Sequence, residues 1–225
     1  MLAAVVCPHP PLLIPEVAAG AAKELDDLRA ACDTAIRAGL AAGPERVVLV
    51  GAGRYTHPWP PDAADALADF GMPKPAGDLP LSLTVGRWLL ERAGWNGPRE
   101  LHSIAANADV TECAALGARF AAGPTALLLV LGDASARRSV GAPGHLDERA
   151  EPFDAGVAAA LAAADLDALL KLDAELAADL LVAGRPAWQV LAGAVQAAGG
   201  AWAGTLHHDA APYGVGYLVA SWLRA

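Results

Sequence analysis

LAAVVCPHPPLLIPEV, residues 2–17, joins a short apolar run to a segment holding four prolines. The run LAAVVC suits a buried strand, and the prolines end it, because a ring nitrogen without a hydrogen cannot continue a central ladder. Beyond Pro15, GAAKELDDLRAACDTAIRAGL (20–40) carries apolar residues at helical spacing and stops at Ala-Ala-Gly-Pro, which predicts a helix. ERVVLVGAG (45–53) then gives a second unbroken apolar run closed by glycines, the pattern of a strand covered on both faces. Strand, helix and strand in this order predict a parallel pair with the second strand beside the first.

The rest of the chain extends the pattern. TVGRWLLERAGW (84–95) reads as helix, LHSIAANADV (101–110) as a strand with its exit loop, ECAALGARFAAG (112–123) as helix and PTALLLVLGDAS (124–135) as a third buried strand. RYTHPWPP (54–61) is proline-blocked loop, and DAADALADFGMPKPAGDLPLS (62–82) a short helix with a proline-rich connection, a candidate flap. SARRSVGAPGHLDERAEPFD (135–154) is charged and reads as a surface loop. Two short helices split near Asp165–Asp167 are expected over 156–184, a further helix over 185–200 and strand-like segments around a tight turn over 201–223. The expectation is a single α/β domain over 1–225, with a mostly parallel or mixed central sheet and helices on both faces.

Composition narrows the function. A formal net charge of −9 with scattered charges leaves nucleic acid and anionic membrane without their usual electrostatic attraction. Cys7, Cys32 and Cys113 lie far apart, so no disulfide framework or CxxC knuckle is suggested, and a reducing cytoplasm fits best. The opening residues lack the positive n-region of a signal peptide, and GVGYLVASWL is too short to span a bilayer. A cytoplasmic protein with a small-molecule partner, capable of forming a homo-oligomer, is the expectation.

Ligands of open α/β sheets gather beyond the carboxyl ends of the strands. His9 follows strand 1 and His57 follows strand 2, so two imidazoles on adjacent exits are candidates for a divalent metal such as iron or zinc. The bland alternative is two histidines in rigid loops. Tyr55, Trp59 and Tyr213 are candidates to stack on a flat ring or simply to pack loops. Asp133 caps a turn or faces the pocket, Arg137 and Arg138 grip an acid or stay solvated, Glu16 opens the first helix, and His102 reads as structural.

PHPPLLIPEV (8–17), VVLVGAGRYTH (47–57), VLGDASARRSVGAPG (130–144), PFD (152–154) and PYGVGYLVA (212–220) together resemble the class III extradiol ring-cleavage dioxygenases, catalytic B-subunit type. The resemblance implies an α/β domain holding non-haem Fe(II) through two histidines and a glutamate, and oxidative opening of a small aromatic diol. Matched residue by residue, His9 and His57 correspond to the two histidines. The late acidic ligand falls in HHDAAPYGVGY (207–217), which has no glutamate; Asp209 is the nearest carboxylate, and His208 beside it is the alternative ligand or a catalytic base. Memo-type relatives use a late cysteine, and none follows Cys113. Relatives also carry GDxSH where this chain has Ala136 in GDASARR. His145, His207 and His208 are the imidazoles left to compensate. The expectations are therefore an Fe(II)-dependent dioxygenase with metal ligands His9, His57 and Asp209, or a metal or small-molecule binding protein of the same fold that has lost ring cleavage, or a non-catalytic partner subunit.

Overall fold

Alternation along the strands sorts the apolar residues onto two sides of one sheet. In β1 (Ala3–Cys7), Ala3, Val5 and Cys7 join one apolar layer while Ala4 and Val6 join the other. In β2 (Arg46–Gly53) Val47 and Leu49 oppose Val48 and Val50, and in β5 (Ala126–Leu131) Leu127, Leu129 and Leu131 oppose Leu128 and Val130. These strands are apolar throughout because both faces are covered. The computed structural model describes residues 1–73 and 76–225.

The seven strands run in the order β3-β4-β2-β5-β1-β7-β6. β4 (Arg99–Ala105), β2, β5 and β1 are parallel; β3 (His57–Trp59) pairs antiparallel with β4, and the hairpin of β6 (Trp202–Ala210) and β7 (Tyr217–Arg224) adds antiparallel strands beside β1. One layer is built on α2 (Asp26–Ala41), which follows the single turn α1 (Pro15–Ala18), and on α3 (Leu81–Arg92), through Leu28, Cys32, Ile36, Leu83 and Leu89. The other is built on α4 (Val110–Ala121), α5 (Ala150–Ala163) and α8 (Arg185–Ala198), through Phe120, Leu161 and Trp188. The protein is thus a single α/β domain with a mixed sheet flanked by helices on both faces, as the pattern predicts.

Strand order departs from expectation. β5 lies between β1 and β2, its Leu129 in register with both Val5 and Leu49. A strand apolar on both sides belongs at the centre of a covered sheet, and that position separates the first two strands. The segment read as loop at 54–61 contains β3, an edge strand in which Pro58 is tolerated because an outer strand leaves one side unpaired.

Helical boundaries differ in three places. The short helix expected at 62–82 is a 3₁₀ turn, Leu67–Phe70, and the connection after it includes residues 74 and 75, which lie outside the described residues. Pro152, Phe153 and Asp154 fall inside α5 rather than in a loop. Between 156 and 184 the chain forms the end of α5, then α6 (Leu166–Leu170) and α7 (Ala174–Asp179). Asp165 accepts from the Ala168 N–H and Asp173 from those of Glu175 and Leu176, so two N-caps restart the helix.

α4 and α8 cross backbone to backbone. A Cβ at Gly117 would stand 2.1 Å from the Val190 carbonyl oxygen, and one at Gly193 would stand 2.4 Å from the Ala114 Cα. Glycine is required at both positions by this approach.

Candidate functional site

His9 sits at the carboxyl end of β1 between Pro8 and Pro10, and 9 % of its surface is exposed. Its backbone N–H donates to Asp133 Oδ1 at 2.7 Å, and its Nδ1 lies 3.6 Å from the same oxygen. Asp133 follows β5, and the Gly132 N–H donates to the Cys7 carbonyl at 3.0 Å, which ties the two strand exits together. Asp133 therefore holds the neighbouring exit rather than capping its own turn. Burial raises its carboxyl pKa against the opposing influence of His9. Nδ1 of His9 is buried and has no hydrogen-bond partner among the described residues.

Tyr217, the first residue of β7, is buried beside this pair, and its phenol is pushed up by burial, then by the Asp133 carboxylate and Tyr213. Asp154 lies deeper, 1 % exposed, accepting from Ser135 N at 2.9 Å and Ser135 Oγ at 2.7 Å and pairing with Arg138 Nη1 at 3.2 Å. Burial raises its carboxyl pKa despite those contacts. Arg138 also reaches Glu151 at 3.4 Å, so it serves an internal ion pair rather than a free anion grip. Main-chain bonds from Ala134 N to Gly216 O, Gly216 N to Ser135 O and Arg138 N to Gly214 O stitch the 133–138 loop to the segment before β7. A Cβ at Gly216 would meet Asp154 Oδ2 at 2.5 Å. Four of the five quoted sequence segments, PHPP, GDASARR, PFD and PYGVGY, thus converge on the ends of β1, β5 and β7.

The fifth does not. His57 is exposed on β3, edge-on to Trp59 at 5.2 Å, and lines a cavity of about 140 Å³ with His102 and Arg119. β4, β2 and β5 stand between β3 and β1; at about 4.8 Å per strand spacing His57 is on the order of 19 Å from His9 along the sheet. Asp209 is exposed on β6, the opposite outer strand. Imidazole–metal bonds are about 2.1 Å long, so His9, His57 and Asp209 do not fit one Fe(II) or zinc ion. Among the described residues no group of three or more His, Cys, Asp or Glu side chains is placed to hold a metal.

The remaining candidates are scattered as well. A β-bulge between Leu206 and His208 inserts His207, whose Nε2 lies 2.8 Å from Ser221 Oγ. His208 Nε2 is buried without a partner among the described residues; burial lowers its pKa, against the influence of Asp209 and Asp27. His208 stands on β6, two strands from β1, which does not bring it to His9 as a catalytic base. His145 has φ 60° and its Nδ1 lies 2.8 Å from the Val140 carbonyl in an exposed turn. His102 packs on Phe120 and lies 3.5 Å from Glu100, with its pKa lowered by burial, as a structural residue would. Ala136 is pinned by main-chain bonds to Leu180 and Gly144. Tyr213 donates to Glu24 Oε2 at 2.5 Å, so it belongs to a different patch from Tyr55 and Trp59.

Tyr55 and Trp59 do come together. With Arg54, Asp78 and Pro80 they line a pocket of about 460 Å³ just past the carboxyl end of β2, on the α3 side. The Arg54 guanidinium lies 5.3 Å from the Tyr55 ring centre, and Trp59 Nε1 donates to Ser103 Oγ at 2.8 Å, which fixes the indole. Two aromatic faces, one cation and one carboxylate suit a small planar molecule with polar substituents. Arg54 and Asp78 carried no signal in the sequence, since each is an ordinary loop charge until the strand exit folds over it.

Among the described residues no helix is long and apolar enough to cross a membrane. No protein-family model and no curated protein matches the chain. Among solved structures, one titled crystal structure of uncharacterized protein JW3007 from Escherichia coli K12 is similar in fold, with a TM-score of 0.52 and 14 % identity over 99 % of this chain and 100 % of that one.

Proposed function

We propose that the protein is a small-molecule binding protein that has lost ring cleavage, and that its ligand is a small aromatic diol or a similar flat polar molecule held between Tyr55 and Trp59. The observation that carries this reading is the division of the site. The residues matched to metal ligands lie on strands too far apart to share an ion, while the aromatic pocket at the end of β2 is formed and partly charged. Arg54 and Asp78 supply a donor set and an acceptor for ring hydroxyls, and the rings supply stacking area.

The test is titration with catechol, followed by tryptophan fluorescence, together with oxygen uptake in the presence of Fe(II). Saturable binding that weakens about tenfold in Trp59→Ala, with no oxygen uptake or ring-opened product, supports the proposal. Turnover of catechol by the Fe(II)-loaded protein overturns it, as does a titration unaffected by Trp59→Ala.

A further inference from the structure

On the other side of the sheet, just past the end of β4, Arg185 opens α8. It is a cation with 4 % of its surface exposed. Nη1 donates to Gln189 Oε1 at 2.8 Å, and Nη2 donates to the carbonyls of Ala106 and Ala108 at 3.0 and 2.9 Å. Among the described residues no carboxylate forms an ion pair with it: Asp109 caps α4 through the Glu112 N–H, and Glu175 lies exposed at the start of α7. A guanidinium has five N–H donors, and two of them have no protein acceptor among the described residues. Buried charges are ordinarily paired, because desolvation without a counter-charge is costly.

Arg185 lines a cavity of about 380 Å³ between the β4–α4 loop, α7 and the start of α8. That volume lies within the range of small-molecule sites, about 300–1,000 Å³. The other walls are Ala106, Asn107, Ala174, Ala177, Ala178, Leu181 and Val182, with Glu175 at the rim. They are mostly aliphatic and, among the described residues, include no aromatic ring, in contrast to the pocket of Tyr55 and Trp59. Leu181 is held at φ 57° and 47 % exposed at this mouth, a backbone geometry a branched side chain seldom adopts.

We infer that this cavity binds a short aliphatic monocarboxylate, its head group on the free N–H donors of Arg185 and its chain along the alanine, leucine and valine walls. The amino end of α8 adds a favourable dipole for the same charge. Glu175 sets the selectivity by repelling a second negative charge, so a dicarboxylate or a phosphate monoester is disfavoured.

The experiment is a titration of the full chain with hexanoate and with 1-hexanol, followed by amide shifts in two-dimensional NMR. Hexanoate is expected to move the Asn107, Ala174 and Ala178 signals in a saturable way and to bind about tenfold or more tightly than the alcohol. Ala178→Leu, a change at an exposed position that leaves Arg185 in place, is expected to abolish the shifts by filling the mouth. Arg185→Gln is expected to bring hexanoate to the level of the alcohol; if that variant does not fold, Ala178→Leu decides alone. Absence of saturable shifts in the parent overturns the inference, and so does undiminished binding by Ala178→Leu or equal binding of acid and alcohol.

Discussion

His9 leaves β1 into a buried, proline-framed exit where Asp133 holds its backbone N–H at 2.7 Å, whereas His57 stands exposed on a three-residue edge strand. In the sequence the two look equivalent, each an apolar run closed by a histidine beside proline. The difference lies in what the neighbouring strand does. β5 pairs with β1 and sends Asp133 over its end, while β4 pairs with β3 and leaves the His57 side chain to solvent. A histidine after a strand gains a buried environment from the residue type at the adjacent strand's exit, and its own flanks do not decide it.

The largest effect that would sharpen this contrast is expected at Asp154, beneath the His9 side. Asp154→Ala removes the acceptor of two Ser135 donors and leaves Arg138 without its buried partner, for an expected loss of about 3–5 kcal/mol. Urea unfolding measures it. A loss as small as that of a surface change would mean that the ends of β1, β5 and β7 are no better fixed than β3.

Next comes Asp133. Asp133→Ala leaves the His9 N–H without its acceptor, at an expected cost of about 1–3 kcal/mol. The acid itself has a pH signature. Its folded pKa is raised above the ordinary 3.8, so folding favours the protonated form. That contribution is full below 3.8 and is lost as pH rises through the raised value. Asp133→Asn keeps an oxygen acceptor and cannot ionise, so it gains on the parent as pH is raised from about 4 to neutrality. Urea melts at stepped pH follow the difference, and a difference independent of pH would show that burial does not outweigh His9 in setting the Asp133 carboxyl.

The smallest effect belongs to the other arm. His57→Ala is expected to change stability by no more than about 0.5 kcal/mol, as exposed positions usually do. Thermal unfolding of the two proteins side by side would break the comparison if His57 proved as costly to lose as Asp133.

Much of the fold was legible because hydrophobic period is a local property. β1, β2, β4 and β5 and the helices α2, α3, α4 and α8 lie where the pattern puts them. The order of β1, β5 and β2 was not legible, since no residue in ERVVLVGAG records which strand will lie between it and LAAVVC. β3 was hidden by Pro58, a loop signal inside the chain that is harmless at an edge. At the candidate site, GDASARR, PFD and PYGVGY lie near one another in space, which no local pattern records: Asp133 and Asp154 serve donors more than a hundred and about twenty residues away respectively. Tyr55 and Trp59 were legible as aromatics near a strand exit. Arg185, at the start of the helix expected over 185–200, carried no signal of its own, because burial of a guanidinium depends on what covers it.

The contact of Gly117 with the Val190 carbonyl and of Gly193 with Ala114 has a mechanical side. Helices that meet through interlocking side chains can slide past each other by small rotamer changes, the basis of shear motion in domains. α4 and α8 touch through their main chains, which have no rotamers to exchange. The contact therefore resists sliding and keeps the Ala106 and Ala108 carbonyls in register with the Arg185 guanidinium, while α7, six residues with a capped start and an exposed outer face, walls the cavity at that end of the sheet.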